Sequence, residues 1–329
     1  MSVAPVELPI PGSSTAGRAP SLEEEYVEAT TKAGRVRRNL TSKWATVAAL
    51  LIAVLWTIPT FGLLLSSFRP SILIKTTGWW TIFSNPGLTL DNYRDVLFSS
   101  SATAPQLGQY FVNSVAISIP ATVFPLVLAS MAAYAFAWMN WKGRDIVFVL
   151  VFALQIVPLQ MALIPLLSFF SRGITIGNAL IIPPTPSGTY AQLWFAHTAF
   201  ALPLAIFLLY NFISQVPGEV IEAARVDGAS HGQIFLRIII PLAMPALASF
   251  AIFQFLWVWN DLLVALVFSG GSPDVAPLTQ RLAELTGSRG QDWQRLTAAA
   301  FVSIVVPLIV FFSLQRYFVR GLLAGSTKG

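Results

Sequence analysis

Residues 222–245 read EAARVDGASHGQIFLRIIIPLAMP and form the one long charged segment in the interior of a chain that is otherwise mostly apolar. Helix-forming residues precede Gly228, a residue type that commonly ends a helix. Ser230 with Gln233 three residues later has the spacing of a capping box, which begins a second helix. Pro241 marks the start of the next apolar run. The pattern predicts two short helices in water, joined by a turn and held between two membrane spans.

The composition of the whole chain is that of a polytopic membrane protein. Of its 329 residues, 55% are hydrophobic and 11% are charged, whereas about a quarter of the residues of a soluble domain are charged. The net charge of +5 comes from Lys and Arg placed beside apolar runs, so membrane orientation explains it better than nucleic-acid binding. The chain has no cysteine and only two histidines, His197 and His231. Disulfides are therefore excluded, and a metal centre is not expected.

Six apolar stretches are each long enough to cross a bilayer, which takes about 20 residues. They are residues 44–68, 111–139, 146–170, 193–212, 242–268 and 296–314. The chain is therefore predicted to be all-α and integral to the membrane, with a six-helix domain over residues 44–314. Residues 1–43 are rich in Pro, Ser, Gly and Ala and then in charge, which predicts a disordered cytoplasmic tail. Residues 315–329 are predicted to form a second cytoplasmic tail.

Positive charge sets the predicted orientation. Basic residues concentrate immediately before the first predicted span, and this side of a span is usually cytoplasmic. They are Lys32, Arg35, Arg37, Arg38 and Lys43. With six spans, both termini and the charged segment around Glu222 are then expected on the cytoplasmic side.

The fifth predicted span contains polar residues, which are costly to place in a bilayer unless they have a function or a partner. Asp261 is the only acidic residue well inside a predicted span, and at the centre of a lone helix it would cost about 2.5 to 3.5 kcal/mol. Gln254, Trp257 and Asp261 are spaced i, i+3 and i+7, so one helical face would carry an amide, an indole and a carboxylate. Such a face suits a sugar. The alternative is that Asn260 and Asp261 bond a neighbouring span, and the residues leave both interpretations open.

The third and fourth predicted spans carry further polar groups. Gln155 and Gln160 lie on either side of Pro158, and Gln155 is the better candidate for lining a pathway. His197 is expected to be a structural donor rather than a proton carrier, as a single histidine near a span end usually is. The phosphate-loop pattern GxxxxGK[ST] and the patterns HExxH and GxSxG are missing, so the chain itself is not expected to bind ATP or to catalyse a reaction.

The charged segment resembles the EAA loop of permease subunits in binding-protein-dependent ABC importers, whose pattern is EAA, three residues, G, nine residues and I-x-L-P. The matching residues are Glu222, Ala223, Ala224, Gly228, Ile238 and Pro241. The segment departs from the pattern at Ile240, where the family has Leu. An extended match is similar to the carbohydrate branch, the family of the maltose permease subunit MalG. Its residues are Asp227, Gly228, Ala229, Phe235 and Pro245.

Shorter matches extend the resemblance over residues 44–329. They are SSFRP from Ser66, LDNY from Leu90, Asn113-Ser114, WND from Trp259 and QRYFVRGLLAGSTKG from Gln315. The stretch DWQRLTAAAFVS from Asp292 is most similar to the alpha-glucoside permease subgroup.

The resemblance implies a type I ABC importer permease fold and a sugar as the substrate, in particular an alpha-glucoside or disaccharide. It implies a transport subunit without a cofactor of its own, because ATP and Mg would be bound by partner ATPase subunits. The implied partners are a second permease subunit in a heterodimer, two ABC ATPase subunits and an extracytoplasmic sugar-binding protein. The implied location is the bacterial cytoplasmic membrane, where lipid surrounds the spans.

The resemblance also assigns residues 218–241, the EAA loop, as a coupling helix that docks into an ATPase subunit. The ATPase-coupling residues are then Glu222, Ala223, Ala224, Asp227, Gly228, Ser230, Phe235 and Pro241. The candidate substrate-pathway residues, chosen as polar or indole side chains within spans, are Gln155, Gln254, Trp257, Asn260 and Asp261.

Two other functions were weighed from the residues alone. An ion-coupled secondary transporter would need several intramembrane carboxylates or an inverted repeat, and this chain has one such acid and no evident repeat. A membrane scaffold without a transport role gives no reason for a polar face inside the bundle. The importer is therefore the preferred interpretation.

Overall fold

The computed structural model describes residues 43–98, 106–177, 179–186, 188–286 and 293–326, most of which are helical. The chain divides into two compact units, Met1–Phe61 and Gly62–Gly329. The tail predicted over residues 1–43 lies outside the described residues except for Lys43. The all-α membrane class is confirmed by the helices described below.

The first span is the helix α1 (Lys43–Ser67), whose bounds agree with the prediction within one residue. It is followed by the short helix α2 (Ser71–Thr76), a 3₁₀ helix (Trp79–Phe83) and the helix α3 (Asp91–Phe98). Pro70 precedes α2 in an extended conformation, which separates α2 from the span.

The centre of the larger unit is formed by α4 (Leu107–Trp138) and α7 (Tyr190–Ile213), which pack along each other and against α10 (Ile240–Trp259). Small side chains lie where these helices approach, because a small residue lets two backbones come close in a membrane. Those that are fully buried in the core are Ala129, Ala133, Ala205 and Ala243. The helix α13 (Trp293–Ser326) packs against α10.

The third predicted span is not one straight helix. It consists of α5 (Arg144–Ala153) with a 3₁₀ turn (Leu154–Ile156), followed after a bend of 106° by α6 (Leu159–Arg172). Pro158 causes the break, because its ring excludes the helical conformation at the preceding residue and Val157 is extended (φ −72°, ψ 118°). Among the described residues, five helices are long and apolar enough to span, or six if the bent pair is one span.

A short antiparallel hairpin follows α6 and was not expected from the sequence. Its strands are β1 (Ile174–Ile176) and β2 (Ala179–Ile182), with Thr175 opposite Leu180 and a register irregularity at its open end. The hairpin connects the bent third span to α7.

The loop segment between α7 and α10 contains α8 (Gly218–Val226), α9 (His231–Ile234) and a π-helical turn (Phe235–Ile239). After α10 come α11 (Leu263–Phe268) and α12 (Leu278–Thr286). The prediction that the fifth span continues to residue 268 is wrong, because its helix ends at Trp259. The last helix continues past the predicted end of its span at residue 314 and reaches Ser326.

Candidate functional site

The turn between α8 and α9 is built from two interlocking helix caps. Gly228 has φ +81°, and its N–H donates to the carbonyl of Arg225 at 3.0 Å. The N–H of Ala229 donates to the carbonyl of Ala224 at 2.9 Å, which completes a Schellman motif at the end of α8. Ser230 then caps α9, and the predicted capping box with Gln233 is confirmed.

The second helix of the segment is longer than predicted. The residues His231–Trp259 form one continuous helical span, so Pro241 does not end a short helix. Proline in a regular helix clashes with the carbonyl of the residue four positions earlier. The π-helical turn lies directly before Pro241 and widens the helix there, which relieves this clash.

The loop segment is fastened to the end of one span, α4. The Nη2 of Arg225 donates to the carbonyl of Trp138 at 3.1 Å, and the hydroxyl of Tyr134 lies 2.9 Å from Nδ1 of His231. The ring of Tyr134 also packs on Phe235, with centroids 5.4 Å apart. Both contacts reach the end of α4, so α8 and α9 are positioned to move together with this span.

One face of α8 is buried and the other is open. Ile221 is buried in the core and Ala224 packs against it, whereas Glu222, Ala223 and Asp227 are exposed. Val226 is 87% exposed and Leu236 is 64% exposed, although both are aliphatic. We define Glu222, Ala223, Val226, Asp227 and Leu236 as the loop surface. It presents two aliphatic side chains and two carboxylates to solvent.

The eight coupling candidates therefore divide into two groups. Glu222, Ala223 and Asp227 lie on the loop surface, and the exposed Gly228 and Ser230 shape its turn. Of the others, Ala224 and Phe235 are partly buried and pack against the core, and Pro241 is exposed in α10, just after the π-helical turn.

A cavity of about 840 Å³ lies between the bent third span, α7 and α10. Its polar lining groups are Gln155, His197 and Gln254, and the indole of Trp257 also faces it. The remaining lining side chains are aliphatic, methionine, proline or phenylalanine, and none of the lining residues is Asp, Glu, Lys or Arg. The volume is within the range of small-molecule sites. The Nε2 of Gln254 also donates to the carbonyl of Ala121 at 3.2 Å, so this amide joins two spans as well.

Two of the five pathway candidates do not line this cavity. Because α10 ends at Trp259, the predicted single face carrying Gln254, Trp257 and Asp261 does not form. The carboxylate of Asp261 accepts from the N–H groups of Val264 at 3.4 Å and Ala265 at 3.1 Å, and so caps α11. Asn260 is exposed and donates to the carbonyl of Leu256 in its own helix.

The other matched motifs make structural contacts at the predicted outer end of the bundle. The Nδ2 of Asn92 donates to the carbonyls of Ser67 at 2.9 Å and Arg69 at 2.8 Å, which ties LDNY to SSFRP. Arg69 is 1% exposed and donates to neutral acceptors, among them the carbonyl of Gly78 at 2.8 Å. Sequence reasoning did not predict this burial, for which the nearby threonine acceptors Thr77 and Thr81 were the available signal.

Asn113 and Ser114 make the longest-range of these contacts. The Nδ2 of Asn113 donates to the carbonyls of Pro273 at 3.1 Å and Ala276 at 2.9 Å, and its Oδ1 accepts from the hydroxyl of Tyr190 at 2.7 Å. The adjacent Ser114 accepts from the N–H of Leu278 at 2.8 Å. In the part of the chain that the structure describes, no group of three or more His, Asp or Glu is arranged to hold a metal ion.

Known proteins match this chain over most of its length. The family model described as binding-protein-dependent transport system inner membrane component matches residues 125–323. The osmoprotective compounds uptake permease protein GgtD of Synechocystis sp. is 55% identical over 286 residues, which are 86% of this chain and 91% of that protein. The alpha-glucoside transport system permease protein AglG of Rhizobium meliloti is 54% identical over 252 residues, 76% of this chain and 63% of that protein.

The fold has a counterpart among solved structures. A chain from the crystal structure of a bacterial ABC transporter involved in the import of the acidic polysaccharide alginate aligns with a TM-score of 0.61. It is 20% identical, and the alignment covers 84% of this chain and 98% of that chain. At this identity the likeness concerns the fold.

Proposed function

Because this chain belongs to the family of binding-protein-dependent transport system inner membrane components, we propose that it forms the pathway of an ATP-driven importer for neutral alpha-glucosides together with a second, different permease subunit. The chain is a multi-pass sugar ABC importer permease of the bacterial cytoplasmic membrane, a transport component rather than an enzyme. The proposal concerns its substrate, its partners and its coupling residues.

The absence of charged side chains from the cavity lining is the observation that best supports a neutral substrate. Sugar phosphates and phosphodiesters need cationic side chains for tight binding, and none lines this cavity. A neutral sugar needs directed hydrogen bonds and an apolar surface for its ring, which Gln155, Gln254 and Trp257 supply. The names of GgtD and AglG add osmoprotective compounds and alpha-glucosides as the cargo of similar permeases. Disaccharides and glucosylated osmolytes are both within the proposed class.

The loop surface is the proposed docking site for an ATPase subunit. ATP and Mg would be held by two such subunits, since this chain has no phosphate loop. Exposed aliphatic side chains such as Val226 and Leu236 are costly in water and are typical of an interface core, and Glu222 and Asp227 would supply polar groups at its edge. The bonds from Arg225 and His231 to α4 would then convert closure of the ATPase pair into movement of the spans. An extracytoplasmic binding protein would deliver the sugar at the opposite side.

Transport by the reconstituted complex tests the proposal. Purified complex in liposomes, supplied with ATP and the binding protein, is expected to take up one or more glucosides from a panel of maltose, trehalose, sucrose and a glucosylglycerol. Glycerol phosphodiesters in the same panel are expected to be excluded. Uptake driven by a proton or sodium gradient without ATP would instead favour the secondary transporter, and absence of uptake under every condition would favour the scaffold.

Val226→Asp tests the docking surface separately. A charge at the centre of an interface loses its hydration without a partner, so binding of the ATPase subunits is expected to weaken by at least about tenfold. Asn140→Asp is the matched control, because Asn140 is exposed at the same end of α4 and lies outside the loop surface. The measurement is the amount of ATPase subunit retained on the tagged permease over a concentration series. Equal retention for the two variants would contradict docking at this surface.

A further inference from the structure

His197 is a buried polar side chain that the coupling and pathway assignments leave unused. It lies on α7, is 3% exposed and lines the cavity beside Gln254 and Trp257. Neither of its ring nitrogens forms a hydrogen bond to any residue that the structure describes. Most buried polar atoms in proteins have such a partner. An unbonded imidazole at the wall of a cavity is therefore available to a bound molecule.

Asp261, between α10 and α11, is a charged residue near this ring. Its Oδ2 is 3.9 Å from Nε2 of His197, while the same carboxylate caps α11 through Val264 and Ala265. A carboxylate facing Nε2 favours the tautomer that carries its proton there, which leaves Nδ1 as an acceptor. The capping bonds fix the carboxylate, which lies beyond hydrogen-bond distance of Nε2 and acts on the imidazole through its negative charge.

The chemistry of the cavity indicates what this imidazole meets. Trp257 is 54% exposed and lies beside Phe253, with ring centroids 5.9 Å apart, so an aromatic surface is available to a pyranose ring. A sugar hydroxyl both donates and accepts hydrogen bonds, and a neutral imidazole also does both. Given the sugar-importing function proposed above, we infer that His197 hydrogen-bonds a hydroxyl of the transported glucoside and helps to determine which glucoside is accepted. Asp261 is its positioning residue.

His197→Leu tests this inference with Thr198→Val as the matched control. Thr198 is the next residue of α7, is also buried, and has a hydroxyl with no partner among the described residues, but it does not line the cavity. Uptake by the reconstituted complex is measured for the parent glucoside and for a series of its monodeoxy derivatives. The wild-type complex is expected to discriminate against one deoxy position, and His197→Leu is expected to raise the KM for the parent about tenfold while losing that discrimination. Thr198→Val is expected to keep both properties.

A second variant gives a direct binding readout. The chain has no cysteine, so His197→Cys introduces its only thiol. Saturating glucoside is expected to slow modification of this thiol by a methanethiosulfonate reagent at least about fivefold. The extent of modification is measured by mass spectrometry of the permease subunit after it has been separated from its partners. The inference would be overturned if His197→Leu discriminated against the deoxy derivatives as the wild type does, or if the sugar did not slow modification of His197→Cys. Transport of a glucoside by the wild-type complex would still uphold the proposed function in that case. A wild-type complex that transports no glucoside overturns the proposed function and the inference together.

Discussion

Gly228→Pro is expected to abolish ATP-driven transport by the assembled complex, with a loss of more than about 100-fold, while the subunit still inserts into the membrane. Proline holds φ near −65°, whereas Gly228 has φ +81°. Proline also removes the N–H that donates to the carbonyl of Arg225. Both changes destroy the Schellman motif, and with it the register between α8 and α9 that shapes the loop surface.

Alanine substitutions separate the cost of a strained backbone in the folded chain from the loss of contact with an ATPase subunit. A Cβ at Gly228 would meet no atom of this chain within 4 Å. The cost of Gly228→Ala in folding free energy is therefore only that of placing alanine in the left-handed conformation, about 1 to 2 kcal/mol. Gly143 has φ +85° and an equally open Cβ position, but it lies outside the loop segment. Gly143→Ala is therefore the matched control with a similar folding cost.

The measurements for both glycines are membrane insertion, ATP-driven sugar uptake and sugar-stimulated ATPase activity of the complex. Gly228→Ala is expected to lower coupled activity several-fold more than Gly143→Ala, since a partner surface would meet the new methyl group. Normal coupled activity in Gly228→Pro would refute the coupling role of this turn. Equal losses in the two alanine variants would show that the glycine serves folding alone.

Local sequence signals predicted the loop segment well, because its helix caps depend on residues close together in the chain. Ser230 and Gln233 specify the capping box through their spacing, and the length of the apolar runs specified most of the spans. The family resemblance carried by the EAA pattern is likewise confirmed by the family match.

The breaks within spans could not be predicted in the same way. Pro59, Pro203 and Pro307 lie inside continuous helices, whereas Pro158 accompanies a bend of 106°. All four occur in apolar sequence. Each proline lacks an N–H, so the carbonyl four residues earlier loses its helical hydrogen bond, and packing against neighbouring helices decides whether that carbonyl finds another partner or the helix breaks. The same limit applies to Asp261, since the sequence could not reveal that its helix ends two residues earlier.

Long-range contacts were the other part that sequence reasoning could not supply. Asn113-Ser114 was recognised as a family match, but its partners lie about 160 residues further along the chain. A single sequence contains no pairing information of this kind. In the structure these residues form a clasp between α4 and the loop before α12, and neither of them lines the cavity.

Asn113→Leu is accordingly expected to cause the largest loss of stability among substitutions outside the loop segment. Leucine has a similar size, but it leaves the buried carbonyl of Ala276 without its partner and also removes the hydrogen bonds to the carbonyl of Pro273 and the hydroxyl of Tyr190. An unsatisfied buried group costs about 1 to 3 kcal/mol and each of the two other lost hydrogen bonds about 0.5 to 1.5 kcal/mol, so a total of roughly 2 to 6 kcal/mol is expected. Thermal unfolding of the purified subunit in detergent measures this loss.

Asn211→Leu is the control for that measurement. Asn211 is exposed on α7, and its Nδ2 donates only to the carbonyl of Phe207 in the same helix, so its replacement should change stability by less than about 0.5 kcal/mol. If the clasp acts across the two elements, Asn113→Leu should also make the loop at residues 269–278 more accessible to protease in the folded subunit. Equal unfolding temperatures for the two variants would contradict the clasp, because a buried amide that joins two elements must cost more to remove than an exposed one that bonds its own helix.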